Sequence, residues 1–349
     1  MKKIFVMAYA RKNLGDDLFI KMLLDRYPMH QFYMKVNNCI FLDELQKQYE
    51  NLNVIQAPDT DDELYASDVN EYDAYVYVGG SIFMEGGKVY NLSERFHDFI
   101  KRCKENNKPF CYISCNYGPY QTEEYFNLSR ETFKNTTDIC FRDKHSYNLF
   151  KDIKSVRYAP DFAFTYPIKK QEKIPDSVGI TIIDLSIRDY LCDKEQAYID
   201  MIVNNINAYI KDGKKVYLYT FCSYESDERT LEMVLKRVNN PNVVAIRYNG
   251  DIESFIDTYS KMEYMICARF HAIILSLLAN QKIHVMSYSK KIDRIIDDLE
   301  LNLPNTLLTD ISGDLIVDLS NFEETSESKI NDIKEKAQGQ ELAIKNALN

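Results

Sequence analysis

Short apolar segments and amphipathic segments alternate along almost the whole chain, and this alternation constrains the fold more than any other feature. Residues 3–8, 74–78 and 109–114 read as buried strands, and residues 17–26, 92–106 and 123–134 read as helices between or after them. Strands that alternate with helices favour parallel sheets covered by helices on both faces. The sequence therefore predicts an α/β protein.

The alternation stops once and then starts again. Residues 166–176 contain two prolines and several charged side chains, and a second series of strands and helices begins at residue 178. With 349 residues the chain is long enough for two cores. We predict two Rossmann-like domains facing a cleft, over residues 1–166 and 177–320, followed by a charged helical tail over residues 321–349.

Composition excludes several classes of protein. The net charge of −10 gives no basic surface for nucleic acid, so an anionic substrate would need local arginine and lysine side chains. No apolar stretch reaches membrane-spanning length, and the N-terminus lacks a signal-peptide cleavage pattern, which predicts a cytoplasmic protein. The eight cysteines form no C-x-x-C pair, so we expect free thiols and no metal site.

Arg269 and His271 form the strongest chemical signal. Residues 261–267 read as a strand and residues 272–279 as a buried helix, so both side chains lie where a strand turns into a helix. The helix N-terminus favours an anion, a guanidinium binds phosphate or carboxylate through two donors, and an imidazole moves protons near neutral pH. The plainer alternative is a surface ion pair beside a capping residue.

Four other loops follow predicted strands, and one of them, residues 116–120, is most simply a turn. In residues 13–17, a turn glycine is followed by Asp16. This aspartate is interpreted as a helix N-cap or as a catalytic carboxylate, and both roles are compatible. The two glycines before Ser81, Gly79 and Gly80, indicate either a tight turn or close approach of the backbone to a ligand. Arg142 precedes a helix for which Asp143 is the expected N-cap, and Arg142 faces either the cleft or a neighbouring acid.

Taken in order, these segments resemble the polysaccharide pyruvyl transferase family over roughly residues 1–295. The matching pieces carry short motifs at similar spacing, namely Asn13-Leu-Gly-Asp16, Val78-Gly-Gly-Ser81, Gly118-Pro119, Phe141-Arg-Asp143, Ala159-Pro-Asp-Phe-Ala-Phe164, and Ala268-Arg-Phe-His271 with Tyr288 and Lys290 downstream. One departure is that many members carry an arginine just after the first strand of the second domain. Here Ile182-Ile183-Asp184 stands at that place, with Arg188 further on.

The resemblance implies a glycosyltransferase-B-like fold and transfer of pyruvate from phosphoenolpyruvate onto two hydroxyls of one sugar, as a cyclic ketal. It implies no cofactor, and an acceptor that is a sugar or a lipid-linked oligosaccharide, with peripheral membrane association left open. The residue roles we assign on this basis are general acid for His271, acceptor-side carboxylate for Asp16, donor binding for Arg269, Arg142, Lys290 and Tyr288, and acceptor binding for Asn13, Gly80, Ser81 and Tyr117.

Two alternatives remain at this point. A nucleotide-sugar glycosyltransferase of the same fold would transfer a sugar in place of pyruvate, and fold alone does not separate the two activities. A carbohydrate-binding module without enzymatic activity would keep aromatic stacking residues, but it would have no need for Arg269 together with His271. In the transferase, Tyr117 or Phe83 either stacks on a sugar ring or lies in the core or at the rim, and the second alternative is favoured.

Overall fold

The computed structural model describes residues 1–57, 64–86 and 91–348, except the side chains of Lys290 and Ala343. The chain divides into two compact units. Unit 1 consists of Met1–Ala10, Asp16–Tyr166 and Ile333–Asn349, and unit 2 consists of Arg11–Gly15 and Pro167–Asp332.

Unit 1 is built on a parallel sheet of seven strands in the order β3-β2-β1-β4-β5-β6-β7. The strands are β1 (Lys3–Met7), β2 (Gln31–Val36), β3 (Leu52–Gln56), β4 (Ala74–Val78), β5 (Phe110–Cys115), β6 (Asp138–Phe141) and β7 (Val156–Tyr158). Every residue of β4 and β5 is buried, as expected for central strands covered on both faces.

The helices of this region are α1 (Leu14–Arg26), α2 (Asp43–Gln48), α3 (Glu94–Glu105), α4 (Glu123–Phe133) and α5 (Lys144–Phe150). Three begin at a side chain that accepts a backbone N–H of the first turn, because Ser93, Thr122 and Asp143 each cap the helix that follows. The predicted capping role of Asp143 is therefore confirmed.

Unit 2 contains a parallel sheet of six strands in the order β10-β9-β8-β11-β12-β13. The strands are β8 (Ile174–Ile182), β9 (Lys215–Thr220), β10 (Val243–Arg247), β11 (Met262–Cys267), β12 (Lys282–Ser287) and β13 (Asn305–Leu307). The helices are α6 (Glu195–Lys211), α7 (Asp227–Arg237), α8 (Ile252–Tyr259), α9 (Phe270–Leu278) and α10 (Lys290–Asp298).

The last two helices are α11 (Glu327–Ala337) and α12 (Leu342–Leu348), and the chain from Ile333 onward groups with unit 1. Gln340 is buried there, where its Oε1 accepts the N–H of Ser114 at 2.8 Å and its Nε2 donates to the carbonyl of Ala159 at 2.7 Å. The predicted ranges placed residues 11–15 in the first domain and residues 321–349 in a separate tail. In the structure residues 11–15 belong to unit 2, and the tail is divided between the units at Ile333.

Each sheet has one position where the strand order reverses. In unit 1 it lies between β1 and β4, and in unit 2 between β8 and β11. Open parallel sheets bind ligands beyond the carboxyl ends of the strands at such positions. In unit 2 the loops that follow β8 and β11 lie at this position. The loop after β9 lies next to them, because strand β9 pairs with β8.

The predicted α/β fold with two Rossmann-like parallel sheets is confirmed, although the sequence analysis missed β2, β3, β7 and β13. All eight cysteines are free thiols. Across the described residues, no helix combines the length and apolar character needed to cross a bilayer.

Candidate active site

Arg269 lies at the carboxyl end of β11, directly before α9, as the sequence predicts. Its residue surface is only 6% exposed. One edge of the guanidinium is bound by Asp227, since Nε donates to Asp227 Oδ2 at 2.9 Å and Nη2 donates to Oδ1. The other edge contacts Glu225, with Nη1 3.0 Å from Oε2. Arg269 is therefore held between two carboxylates.

Arg188 joins the same group of charges from the loop that follows β8. Its Nη2 lies 3.2 Å from Glu225 Oε2, so one carboxylate oxygen accepts hydrogen bonds from both arginines. Nη1 of Arg188 donates to the carbonyl of Asp184, and the guanidinium lies over the Tyr288 ring at 4.9 Å from its centroid. We call Arg188, Arg269, Glu225 and Asp227 the ion-pair cluster.

The two acids of the cluster differ in how firmly they are held. Asp227 begins α7, is buried, and also accepts the N–H groups of Phe221 and Cys222 at 3.1 Å each. The Glu225 side chain is 24% exposed. Although burial acts to raise it, the charges of Arg269 and Arg188 lower the pKa of Glu225 below its usual value, so this side chain is ionised at neutral pH.

His271 lies in the first turn of α9, two residues after Arg269, and is partly buried. A side chain added at Gly15 would overlap the His271 imidazole, so the absence of a side chain at residue 15 is what makes room for the ring. Arg269 is the N-cap residue of α9 and makes no capping bond with its side chain. His271 and the N-terminal end of this helix therefore accompany the ion-pair cluster.

Asn13, which we predicted to bind the acceptor, lies in unit 2 beside Glu225. Helix α1 begins at Leu14, so Asp16 lies inside its first turn and is not the N-cap; instead Asn13 Oδ1 accepts the N–H of Gly15 at 3.1 Å. Residues 11–15 belong to unit 2, where Asn13 Nδ2 is 3.4 Å from Glu225 Oε1. Asn13 is thus an immediate neighbour of the ion-pair cluster.

Arg142 also follows a strand, β6, but it lies inside unit 1. Its Nη1 donates to Asp161 Oδ2 at 2.8 Å and its Nη2 to Asn116 Oδ1 at 3.0 Å, so it faces a neighbouring acid. A side chain at Gly80 would overlap the guanidinium. The absence of a side chain at residue 80 therefore leaves room for Arg142, and acceptor binding by Gly80 stays a prediction.

Tyr117 lies in the core, which was the favoured alternative to stacking on a sugar ring. Its ring is 3% exposed and packs among Phe83, Phe133 and Phe150, while its hydroxyl is 3.0 Å from Ser129 Oγ. Phe83 is equally buried. A position inside the aromatic core of unit 1 prevents either ring from stacking on a sugar.

The remaining predicted residues have simpler surroundings. Ser81 is exposed at the end of the Gly79-Gly80 turn, and Asp16 is partly exposed. Tyr288 is partly exposed, and its carbonyl accepts the hydroxyl of Tyr190 at 3.1 Å. Lys290 begins α10, but its side chain lies outside the described part of the structure.

Glu225, Asp227 and Asp161 were not predicted from the sequence to be site residues. Glu225 and Asp227 lie shortly after the end of β9, the strand next to β8. Two acids close to the end of a strand could have indicated a site. Asp161 lies in a quoted motif, but only the structure pairs it with Arg142. Within residues 1–57, 64–86 and 91–348, no group of three or more His, Cys, Asp or Glu side chains has the arrangement of a metal site.

Comparison with known proteins gives a family and a fold. Residues 9–290 match the family model described as polysaccharide pyruvyl transferase. Similar solved structures include a putative UDP-N-acetylglucosamine 2-epimerase from Listeria monocytogenes, with 9% identity, 99% of this chain and 94% of that chain covered, and a TM-score of 0.62. The UDP-GlcNAc 2-epimerase of Methanocaldococcus jannaschii gives 10% identity, 95% and 97% coverage, and a TM-score of 0.57.

A glycosyltransferase is also among the similar structures. The calicheamicin glycosyltransferase CalG4 has 11% identity, covers 99% of this chain and 96% of its own, and gives a TM-score of 0.52. At such low identities the likeness concerns the fold, which is the glycosyltransferase-B-like arrangement of Rossmann-like sheets.

Proposed function

Because the chain belongs to the polysaccharide pyruvyl transferase family, we propose that it transfers pyruvate from phosphoenolpyruvate to two hydroxyls of one sugar. The methylene carbon of the donor takes a proton, one hydroxyl attacks C2, phosphate leaves, and the second hydroxyl closes the ketal. The products are the ketal and inorganic phosphate, so no cofactor is consumed.

The observation that supports this proposal most strongly is the convergence of Arg188 and Arg269 on one oxygen of Glu225. Two guanidinium groups that meet at a carboxylate oxygen are also arranged to bind a phosphate or carboxylate group of a ligand. Phosphoenolpyruvate carries both groups. The arginine pair lies beyond the carboxyl ends of β8 and β11, where the strand order reverses.

Arg188 supplies the second cation that the family resemblance left in doubt. The position just after β8 holds Ile183 and Asp184, yet the loop continues to Arg188, whose guanidinium reaches the cluster around Arg269. We therefore add Arg188 to the proposed donor-binding residues. Tyr288 supports it, because its ring lies under the guanidinium.

His271 is the proposed general acid for the methylene carbon. It is the residue nearest to Arg269 in the first turn of α9 that can carry a proton at neutral pH. The N-terminal N–H groups and the dipole of this nine-residue helix favour a bound anion, which adds to the charge of the arginine pair.

The acceptor side of the proposal rests on the family resemblance. Asp16 is the proposed base for a sugar hydroxyl, and Ser81 is a proposed acceptor contact. The acceptor is a sugar, free or lipid-linked, and a cytoplasmic location stays a prediction. Lys290 also stays a predicted donor contact.

The decisive experiment measures which product the purified protein releases. Phosphoenolpyruvate is incubated with a panel of free and lipid-linked sugars, and a parallel series contains nucleotide sugars in place of phosphoenolpyruvate. We expect inorganic phosphate in the first series, together with a sugar product heavier by one pyruvate less one water. Release of nucleotide in the second series, with no phosphate in the first, would show a glycosyltransferase.

A further inference from the structure

Glu225 occupies the guanidinium atoms that the proposed donor site needs. Its Oε2 accepts hydrogen bonds from Nη1 of Arg269 and Nη2 of Arg188, and its Oε1 faces Asn13 Nδ2. An anionic group that bridges the two arginines at this point would take the N–H groups that Glu225 now accepts. Glu225 and the ligand therefore compete for one position.

Asp227 does not compete in this way. It binds the opposite edge of Arg269, through Nε and Nη2, and it accepts two backbone N–H groups as well. With no exposed side-chain surface and four hydrogen bonds, it fixes the orientation of Arg269. Asp227 is a positioning residue, whereas Glu225 can move without disturbing that orientation.

The charges of the cluster lead to the same conclusion. Two guanidinium groups and two carboxylates sum to zero, so the cluster as arranged exerts little net attraction on a ligand that carries several negative charges. When Glu225 turns away, both arginines present unshared donors. The 24% exposure of its side chain leaves a route by which the carboxylate can move into solvent.

We propose that Glu225 is an internal anion that competes with the donor for Arg188 and Arg269 and thereby lowers the affinity of the site for anions. This inference rests on the proposed function only in naming phosphoenolpyruvate as the donor. A phosphate dianion displaces a carboxylate more readily than another carboxylate does, because it carries more charge and more acceptor oxygens. The site then favours phosphoenolpyruvate over pyruvate.

The test is a calorimetric titration of Glu225→Gln with inorganic phosphate, phosphoenolpyruvate and pyruvate. Glutamine keeps an oxygen that accepts hydrogen bonds but removes the competing charge. We expect phosphate and phosphoenolpyruvate to bind about tenfold tighter than to the wild type, in keeping with removal of one like charge near the ligand. Pyruvate should gain by a similar factor, because the same competing carboxylate is removed for every anion that binds the arginine pair.

The matched control is Glu228→Gln. Glu228 lies three residues along the chain, in the first turn of α7, and its loss changes the net charge by the same amount. We expect this variant to change phosphate affinity less than twofold, in line with a screened charge outside the cluster. A gain equal to that of Glu225→Gln would overturn the proposal, because it would show a general charge effect.

A double variant locates the anion. If the anion binds the arginine pair, Glu225→Gln should produce a smaller gain in the Arg188→Ala background than in the wild type, whereas independent effects would add. Unchanged or weaker phosphate binding in a folded Glu225→Gln protein would overturn the proposal. Since phosphate binding does not require transfer, tighter binding without ketal formation would refute only the proposed function, and ketal formation without tighter binding would refute only the role of Glu225.

Discussion

Arg142 in unit 1 and Arg269 in unit 2 occupy similar places in the sequence but have different surroundings. Each follows a parallel strand, precedes a helix and pairs with a buried aspartate, Asp161 or Asp227. Arg142 gives its remaining terminal nitrogen to Asn116 and packs on Gly80. Arg269 instead shares a partly exposed glutamate with Arg188.

This difference supports the proposal that Arg269 binds a ligand and favours a structural role for Arg142. The acid that accepts from Arg142 has a side chain only 1% exposed, whereas Glu225 is 24% exposed. Breaking a buried ion pair costs stability, and a pair with a mobile partner can exchange that partner for a ligand. Donor binding by Arg142 stays a prediction, but its contacts favour a structural role.

The largest expected effect is on His271, the second residue of α9. We expect His271→Ala to lower the rate of phosphate release from phosphoenolpyruvate and acceptor by about 10²–10⁴-fold, the usual contribution of a general acid. Donor affinity, measured by calorimetry, should change little because the arginine pair remains. The exposed His145 of α5 offers the control, His145→Ala, and equal rates in the two variants would remove His271 from the mechanism.

Asp16 and Glu225 should respond in opposite ways to loss of charge. We expect Asp16→Asn to lower transfer to sugar by about 10²-fold or more, if the carboxylate accepts the hydroxyl proton. Its donor affinity should stay equal, in contrast to the tighter binding expected for Glu225→Gln. Since Asp16 is not the N-cap of α1, the melting temperature of the Asp16→Asn protein should differ little from that of the wild type. A clear loss of donor affinity would contradict the acceptor-side role.

Exchange of each arginine for lysine tests the comparison directly. Lysine keeps the charge but cannot bind through two donors, so Arg269→Lys should weaken phosphoenolpyruvate binding by about tenfold. Arg142→Lys should leave donor affinity unchanged and lower the free energy of unfolding by about 1–3 kcal/mol. Calorimetry and urea denaturation of both variants check this, and weaker donor binding in Arg142→Lys would show that Arg142 also serves the donor.

Gly80 tests the packing beneath Arg142. In Gly80→Ala the new methyl group displaces the guanidinium from its contacts with Asp161 and Asn116, which should lower the free energy of unfolding by about 1–3 kcal/mol. Gly213→Ala gives the separate cost of backbone strain, because residue 213 has a positive φ of 79° but no neighbouring atom that a methyl group would meet. An unchanged free energy of unfolding in Gly80→Ala would mean that Arg142 moves without cost.

The smallest expected effect concerns His284 of β12 and appears only in acid. Burial lowers the pKa of His284 to about 4 from 6.5, so the unfolded chain binds more protons between these values. Stability should fall as the pH drops from 6.5 towards 4, by about 2 kcal/mol at pH 5. Urea denaturation of His284→Gln should show a smaller loss over this range, whereas His145→Gln should follow the wild type.

Local sequence patterns predicted much of the fold because each strand and helix is encoded by its own residues. The apolar run after Arg269 becomes α9, and the capping aspartate at position 143 begins α5 as expected. The strands that were missed carry weaker signals. β2 alternates partly buried with buried residues, and β13 has only three residues.

Sequence alone determined that Arg269 and His271 stand at the N-terminal end of a helix, because strand, loop and helix are contiguous there. Only the tertiary structure decided which charges surround them. Arg188, Glu225 and Asp227 come from loops up to 81 residues from Arg269 in sequence, and the parallel pairing of β8 with β9 and β11 brings these loops to one edge of the sheet. In the same way, the burial of Tyr117 and the contact of Arg142 with Asp161 depend on segments that lie apart in the sequence and that strand pairing brings together.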